Sequence, residues 1–306
     1  MAAKPRITLV GAGNLASALA VAVRRAGYAI DAVVARPIRS SLSKARKLAE
    51  EVGARVLSTS SGQLGSDVVW FCVPDSQIAD AAHSLVDRID SKNGHSKNWR
   101  GKIALHSSGA LDSDVLAELR SRGAAVASVH PLMTFVRDSR PSLAGVSFAV
   151  EGDAQAIRVA RQIVQDLRGH SCSIRKQDKA AYHACGTFAS PLLCALLATT
   201  EEAAVAAGMN RKSARERLLP ILQQTIANYG RLGAAASFSG PIVRGDVATV
   251  EQHLQQLRAL PVAREVYIAL ANSALKSLPV KNRPRLEAIL RRKWRAERHP
   301  ARTIAK

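Results

Sequence analysis

The chain has 306 residues, of which 47% are hydrophobic and 22% charged. This balance is typical of globular proteins and excludes bulk disorder, and the length suffices for two domains of ordinary size. The net charge is +20, and the segment Lys281–Lys306 carries ten of the Lys and Arg residues. Such a tail could contact nucleic acid or an acidic partner, but Trp294 is its only aromatic side chain. We therefore expect a solvated, partly helical end and no nucleic-acid partner.

The first 175 residues alternate short apolar runs with helical patterns. Predicted strands are Ile7–Val10, Ala29–Ala35, Ala54–Leu57, Asp67–Val73, Lys102–His106, Ala124–His130, Gly145–Val150 and Ser171–Arg175. Predicted helices are Leu15–Val23, Ser40–Val52, Ser76–Ile89, Ser113–Arg122 and Ala154–Leu167, and a polar loop is predicted over Ser91–Arg100. This alternation predicts an α/β fold, namely a Rossmann-type, doubly wound and mostly parallel sheet.

The later part of the chain contains only helical patterns. They are Asp178–Ala207, Arg211–Leu232, Val247–Leu260, Ala263–Leu278 and Arg283–Arg295, with Pro191 and Pro220 expected to kink or break the first two. These patterns predict an all-α C-terminal domain. We place the Rossmann-type domain at residues 1–176 and the helical domain at 177–306, with its basic tail from about residue 281.

Within this helical region, the stretch Ala184–Thr200 carries no charge. It is shorter than the roughly 20 residues that a membrane span needs, and it contains Pro191. We expect it to form a buried helix, and we expect no membrane association. The four cysteines form no CxxC pair, which favours free thiols buried in a reducing cytoplasm and argues against a metal site.

A glycine-rich turn follows the first predicted strand. Residues 11–16 read GAGNLA, which fits G-x-G-x-x-[G/A] directly between a strand and a helix. The first glycine permits a tight turn, the second lets the backbone approach a diphosphate, and the alanine lets the helix pack close to the strand. The phosphates would rest on free N–H groups at the positive end of the helix. The predicted cofactor-binding residues here are Gly11, Gly13, Asn14, Leu15 and Ala16.

The end of the second strand discriminates between the two nicotinamide dinucleotides. NAD enzymes usually carry a carboxylate there, whereas this chain has Arg36, with Ser40 and Lys44 close behind. Cations and hydroxyls suit a 2′-phosphate, so we predict NADP(H), although a solvated helix face would also explain the cations on the following helix. Val73 and Pro74 end the fourth strand, where the chain should pass the nicotinamide. The next residue, Asp75, either contacts ligand or caps a helix.

Polar residues follow the fifth and sixth strands, where ligands of parallel sheets bind. His106 and His130 each have a catalytic and a hydrogen-bonded structural interpretation, and we select His130 as a candidate catalytic residue. Ser107 is a candidate for contact with the cofactor and Ser108 for contact with the substrate. Both hydroxyls could instead hold the turn.

The first helix after the sheet carries Lys179 and His183, which lie four residues apart and therefore share a face. A cation beside a C=O or C=N group stabilises negative charge or donates a proton as hydride arrives. A lysine suits this role if burial lowers its pKa. The alternative is an ordinary helix start with a solvated lysine. Arg244, in a Gly- and Pro-rich loop, is a candidate to bind a substrate carboxylate, although a purely structural loop is equally compatible.

At these residues the chain resembles a group of predicted oxidoreductases. The members of this group join a Rossmann-like domain to an uncharacterised C-terminal domain. The resemblance rests on HSSGAL at 106–111, HPLMTF at 130–135, DKAAYHACGTFAS at 178–190 and GPIVRGDVATV at 240–250. The group is distantly similar to 3-hydroxyacid dehydrogenases, ketopantoate reductases and pyrroline-5-carboxylate reductases. In the hydroxyacid dehydrogenases, a helix carries Lys followed four residues later by Asn. Lys179 matches that lysine, whereas His183 replaces the asparagine.

The resemblance implies NADP(H) as cofactor, a homodimer through the C-terminal helices and a small carbonyl or imine substrate. We accordingly expect a cytoplasmic NADP-dependent oxidoreductase that reduces a branched 2-oxo acid similar to ketopantoate. Lys179 would polarise the carbonyl, and His183 or His130 would assist proton transfer. The alternatives are an imine reductase of pyrroline type, a non-catalytic NADP(H)-binding regulator and a nucleic-acid-associated protein.

Overall fold

A computed structural model describes residues 3–88, 99–137 and 139–298. Most of the predicted polar loop, and the last part of the basic tail, lie outside these residues. One sheet of eight strands, in the order β3-β2-β1-β4-β5-β6-β7-β8, organises the first part of the chain. The strands are β1 Ile7–Val10, β2 Ile30–Ala35, β3 Arg55–Ser58, β4 Val68–Phe71, β5 Ile103–His106, β6 Ala125–Pro131, β7 Ser147–Gly152 and β8 His170–Ser173. Each predicted strand is present.

The sheet has the doubly wound topology that the alternation predicts. The β6–β7 pair is antiparallel and all other neighbouring strands run parallel. Strand order reverses between β1 and β4, which creates the switch point beside which ligands of open parallel sheets bind. The central strands β1, β4 and β5 are buried along their whole length, because helices cover both sheet faces.

Helices pack on both faces of this sheet. They are α1 Asn14–Arg25, α2 Arg39–Val52, α3 Ile78–Leu85, α4 Ala117–Ser121 and α5 Ala154–Asp166, followed by α6 Lys179–Ala189. Apolar side chains of α1, α2 and α5 form one core with the sheet. Side chains of α3, α4 and the preceding 3-10 turn form a second core with it. The predicted Rossmann-type α/β fold is therefore confirmed.

The chain divides into two compact units, residues 1–190 and 191–306. The described part of the second unit is helical, as the sequence predicts. Its helices are α7 Pro191–Ala206, α8 Arg211–Ser237, α9 Pro241–Arg244, α10 Val247–Gln256, α11 Pro261–Ser277 and α12 Arg283–Arg298. Pro191 begins a new helix, whereas Pro220 lies inside α8, which instead deviates from helical geometry at Gly233. The proposed domain boundary near residue 176 stays a prediction.

The apolar stretch around Pro191 is not buried in the chain, which corrects the expectation of a buried helix. Phe188 is 71% exposed and Leu192 is 46% exposed. By length and composition alone, the segment Lys176–Ala206 is apolar enough to cross a membrane, a property that core helices also show. The prediction that the cysteines are buried is also wrong for three of the four. Cys72 is buried, whereas Cys172, Cys185 and Cys194 are exposed. Apolar neighbours in sequence do not bury a residue when its helix face has no packing partner.

Candidate functional site

The turn between β1 and α1 depends on glycine at its first position. Gly11 has a φ of +108°, a conformation that residues with a Cβ rarely adopt. A Cβ at this position would lie 2.6 Å from the carbonyl oxygen of Cys72. The Gly11 N–H also donates to the Val34 carbonyl at 2.8 Å, which ties the turn to β2. Packing within the protein therefore explains Gly11 without any ligand.

Gly13 differs from Gly11, because nothing in the protein requires a glycine there. Its backbone is extended, with φ −80° and ψ −174°, and no atom lies within 4 Å of where its Cβ would be. Gly13 is the N-cap of α1, and no side chain caps the free N–H groups of that helix. The turn thus leaves open space in front of the positive end of a helix, which suits an anionic group.

A groove of about 550 Å³ starts at this turn. It is lined by Arg36, Ser41 and Lys44 and also by Val73 and Pro74. Ser41, rather than the predicted Ser40, lines the groove. Of the described lining residues, only Asp80 is a carboxylate, and it comes from α3. The predicted cofactor residues Gly11, Gly13, Arg36, Val73 and Pro74 are therefore brought together.

Three polar residues, the last of β5 and the two that follow it, are occupied by hydrogen bonds that hold the turn. The Ser107 hydroxyl accepts from the Trp70 indole N–H at 2.8 Å. The Ser108 hydroxyl donates to Asp75 at 2.8 Å and accepts from the backbone of Ala110 and Leu111. His106 has one ring nitrogen 3.0 Å from the Asp112 carbonyl, and the other accepts from the Ser108 N–H. Burial lowers the pKa of His106 to about 3, so this histidine is a neutral structural residue.

Lys179 lies at the start of α6 and is only 1% exposed. Its ammonium donates to the Ser128 hydroxyl at 2.6 Å and to the Ser108 carbonyl at 3.1 Å. Burial lowers the pKa of Lys179, while the negative charges of Glu151, Asp112 and Asp75 oppose that shift. The lysine is therefore held in one position below the carboxyl ends of β5 and β6, with its proton easier to release than in water.

Ser128 and Glu151 belong to this cluster but are absent from the candidates drawn from the sequence. They pair directly across β6 and β7, and both are buried. Glu151 accepts from the N–H and the hydroxyl of Ser113 at 2.7 and 2.9 Å, and burial raises the pKa of its carboxyl. The available signal was a polar residue inside each apolar strand pattern, since buried polar groups need partners.

His130 and His183 converge on the same place. Their ring centroids are 6.0 Å apart, and His130 also contacts the Tyr182 ring edge-on at 5.6 Å. A Cβ on Gly109 would lie 2.6 Å from His183 and 2.8 Å from His130, so both rings occupy the space that this glycine leaves. Burial lowers the pKa of His130 to about 4, and the positive charge of Lys179 is the second-largest cause of this shift. The Nδ1 of His130 and the hydroxyl of Tyr182 are buried without a hydrogen-bond partner in the described part of the chain.

Arg244 belongs to the second unit. It ends the short helix α9, and Gly245 follows in the left-handed conformation with φ +69°. Asp246 then caps α10 through the N–H and hydroxyl of Thr249. These bonds account for the shape of the loop, while the binding role of Arg244 stays a prediction.

Two family models match the chain. A Rossmann-like domain covers residues 1–131, and a domain of unknown function, DUF2520, covers residues 146–274. The chain thus matches a Rossmann-like domain in its first part and the DUF2520 domain in its second, as the sequence motifs predict. The DUF2520 match begins before β7, so it includes the last two strands of the sheet as well as helices. None of the curated proteins matches the chain at a significant level.

Several solved structures share this fold. A Bacteroides fragilis protein provisionally assigned as an NADP oxidoreductase has a TM-score of 0.72 at 20% identity, covering 88% of this chain and 97% of its own. A Thermotoga maritima protein gives 0.66 at 22% identity, covering 95% and 99%. The reductive aminase from Aspergillus terreus, in complex with NADPH and ethyl-5-oxohexanoate, gives 0.61 at 16% identity, covering 94% and 100%.

The neutral His106 makes the stability of the protein depend on pH. An unfolded histidine has a pKa of about 6.5, whereas folding lowers the pKa of His106 to about 3. Between these values the unfolded chain binds more protons, so the free energy of unfolding falls on acidification by about 1.4 kcal/mol per pH unit for this group. His106→Gln should flatten the slope of urea-unfolding free energy against pH below 6.5. An imidazole of His106 that titrates near pH 6.5 by NMR would contradict this assignment.

Proposed function

We propose that the protein is an NADP(H)-dependent oxidoreductase that reduces a small carbonyl compound, with a branched 2-oxo acid as the substrate class. The observation that carries the proposal is the open space at Gly13, which lines a groove together with Arg36 and Pro74. A diphosphate accounts for a glycine that the protein's own packing does not require. Two structural neighbours, the Bacteroides fragilis protein provisionally assigned as an NADP oxidoreductase and the reductive aminase in complex with NADPH, support the same cofactor.

In the proposed reaction, bound NADPH supplies a hydride to the substrate carbonyl. Lys179 stabilises the charge that develops on the carbonyl oxygen, because its ammonium is held by Ser128 and Ser108 and is shielded from water. Reduction leaves a negative charge on that oxygen, which takes up a proton from the Lys179 ammonium, whose pKa is lowered by burial. The low pKa of His130 keeps this imidazole neutral, so His130, with His183, relays a proton from water back to the lysine.

Arg36 is the proposed partner of the 2′-phosphate, so Arg36→Gln should weaken NADPH binding about tenfold, the usual effect of losing one charge-assisted bond. NADH lacks that phosphate, and its affinity should stay within about twofold. Calorimetric titration with both nucleotides measures the ratio. Arg24→Gln, at the exposed far end of α1, is the matched control. An unchanged ratio would remove Arg36 from the cofactor site.

Lys179→Met should lower the rate of NADPH oxidation at least tenfold on the best substrate found, because the new side chain cannot stabilise the charge on the carbonyl oxygen. NADPH affinity should change little, since the lysine contacts Ser108 and Ser128 rather than the groove. Lys176→Met controls for charge, because Lys176 is exposed and pairs with Asp114. Full turnover by Lys179→Met would show that another group polarises the substrate.

An imine reductase is the second candidate, because the same buried cation would polarise a C=N bond and a neighbour of this fold is a reductive aminase. A screen of 2-oxo acids and cyclic imines, followed by NADPH absorbance, discriminates the two. Turnover of imines alone would replace the carbonyl proposal. If NADPH binds but no compound of either class is reduced, the protein is a non-catalytic NADP(H)-binding regulator.

We also propose that the protein is a cytoplasmic homodimer through its C-terminal helices. Large apolar side chains on α8 are exposed in the single chain, among them Ile221 at 63%, Ile226 at 61% and Tyr229 at 62%. Apolar surface of this kind favours association. Sedimentation of the whole chain should give about twice the 32.6 kDa of one chain, and Ile226→Glu should shift it toward the single mass. A wild-type chain that sediments as a monomer at all concentrations would contradict the dimer.

A further inference from the structure

A second pocket, of about 320 Å³, opens beside the glycine turn. Gly13 and Asn14 line it on one side, α2 contributes Lys44 and Lys47, and the segment after β6 contributes Arg137. Neither the GAGNLA motif nor the cations around Arg36 include this last segment. The pocket therefore brings to the cofactor turn a part of the chain more than a hundred residues away.

The segment after β6 is fastened to this place by two contacts. The Asn14 side-chain amide donates to the Phe135 carbonyl at 3.2 Å, which joins the segment to the first turn of α1. The Arg140 guanidinium forms an ion pair with Glu51 at the end of α2. Arg137 lies between these two contacts in sequence. Its backbone is thereby positioned at the mouth of the pocket, although the side chain itself is exposed.

The charges around the pocket do not balance. Of its described lining residues, four are cations and one is a carboxylate, Glu51, which already pairs with Arg140. Within the described part of the chain, Lys44, Lys47 and Arg137 form no ion pair or side-chain hydrogen bond. Three cations that face one small space next to a helix N-terminus raise its affinity for an anion.

We infer that this pocket binds the diphosphate of the dinucleotide and that Arg137 is a cofactor-binding residue outside the sequence motif. The diphosphate is favoured over the 2′-phosphate, because the pocket adjoins Gly13 and Asn14 while Arg36 lines only the larger groove. Lys44 lines both spaces and therefore lies between the two phosphate positions. The inference rests on the proposed function, since it requires a bound nicotinamide nucleotide.

The test exploits the fact that NADH and NADPH share the diphosphate but not the 2′-phosphate. Arg137→Gln and Lys47→Gln should each weaken both nucleotides by about the same factor, roughly tenfold for the arginine. Arg24→Gln should weaken neither. Inorganic pyrophosphate should compete with NADPH on the wild-type chain, and Arg137→Gln should weaken that competition. Calorimetric titration of the full chain measures all three ligands.

The outcomes separate the inference from the function beneath it. If Arg137→Gln leaves both affinities within twofold while wild-type protein binds NADPH, the inference is wrong and the proposed function stands. If Arg137→Gln weakens the affinity for NADPH alone, the pocket binds the 2′-phosphate, and the assignment of the diphosphate to it is wrong. Wild-type protein that binds neither nucleotide would overturn both. Unchanged unfolding midpoints in urea for the variants show that they are folded.

Discussion

The candidate cofactor site depends on how the backbone turns from β1 into α1. Gly11 is fixed by the protein itself, since its φ of +108° and the Cys72 carbonyl exclude a side chain. Gly13 is not, because its backbone is ordinary and its surroundings are empty. One turn thus contains a glycine required for folding and a glycine that folding does not require. The second leaves room for a ligand, and the uncapped amides of α1 suit an anionic one.

The chemistry proposed for the site depends on a different constraint, the burial of a lysine. Lys179 is almost fully shielded from water, and Ser128 and the Ser108 carbonyl hold its ammonium. Placing a charge there costs free energy, which buried partners such as Glu151 offset in part. The same environment lowers the pKa of Lys179 and of the neighbouring His130. A cluster of basic groups with lowered pKa values is typical of an active site.

Much of this arrangement is predictable from the sequence. The eight strands follow from apolar runs, and the GAGNLA motif lies at the strand–helix junction where the groove begins. The convergence of His130 and His183 follows from their places at the end of β6 and on α6. Bounds of elements were predictable only to within a few residues, because capping and 3-10 turns decide them: the predicted helix at Ser113 begins with a 3-10 turn, and α4 starts at Ala117.

The remaining features of the site are not predictable from the sequence, because they depend on contacts between distant parts of the chain. Ser128 and Glu151 each look like an interruption of an apolar strand, and only the antiparallel register of β6 and β7 places them opposite each other. Ser107 is attractive in sequence, yet its hydroxyl is bound to Trp70 in the interior. The contribution of Arg137 depends on a long-range contact between Asn14 and Phe135. The exposure of Phe188 and Leu192 depends on what packs against a helix face, which hydrophobicity along the chain does not report.

The substitution Gly13→Asn tests whether a diphosphate occupies the open space at Gly13. Asparagine is a favourable N-cap, and the folded protein leaves room for it, so the urea-unfolding free energy should stay within about 1 kcal/mol of wild type. Calorimetry should show NADPH affinity reduced about a hundredfold or more, because the side chain fills the space and competes for the amides. If Gly13→Asn binds NADPH as tightly as wild type, the diphosphate does not lie at this turn and the account is wrong.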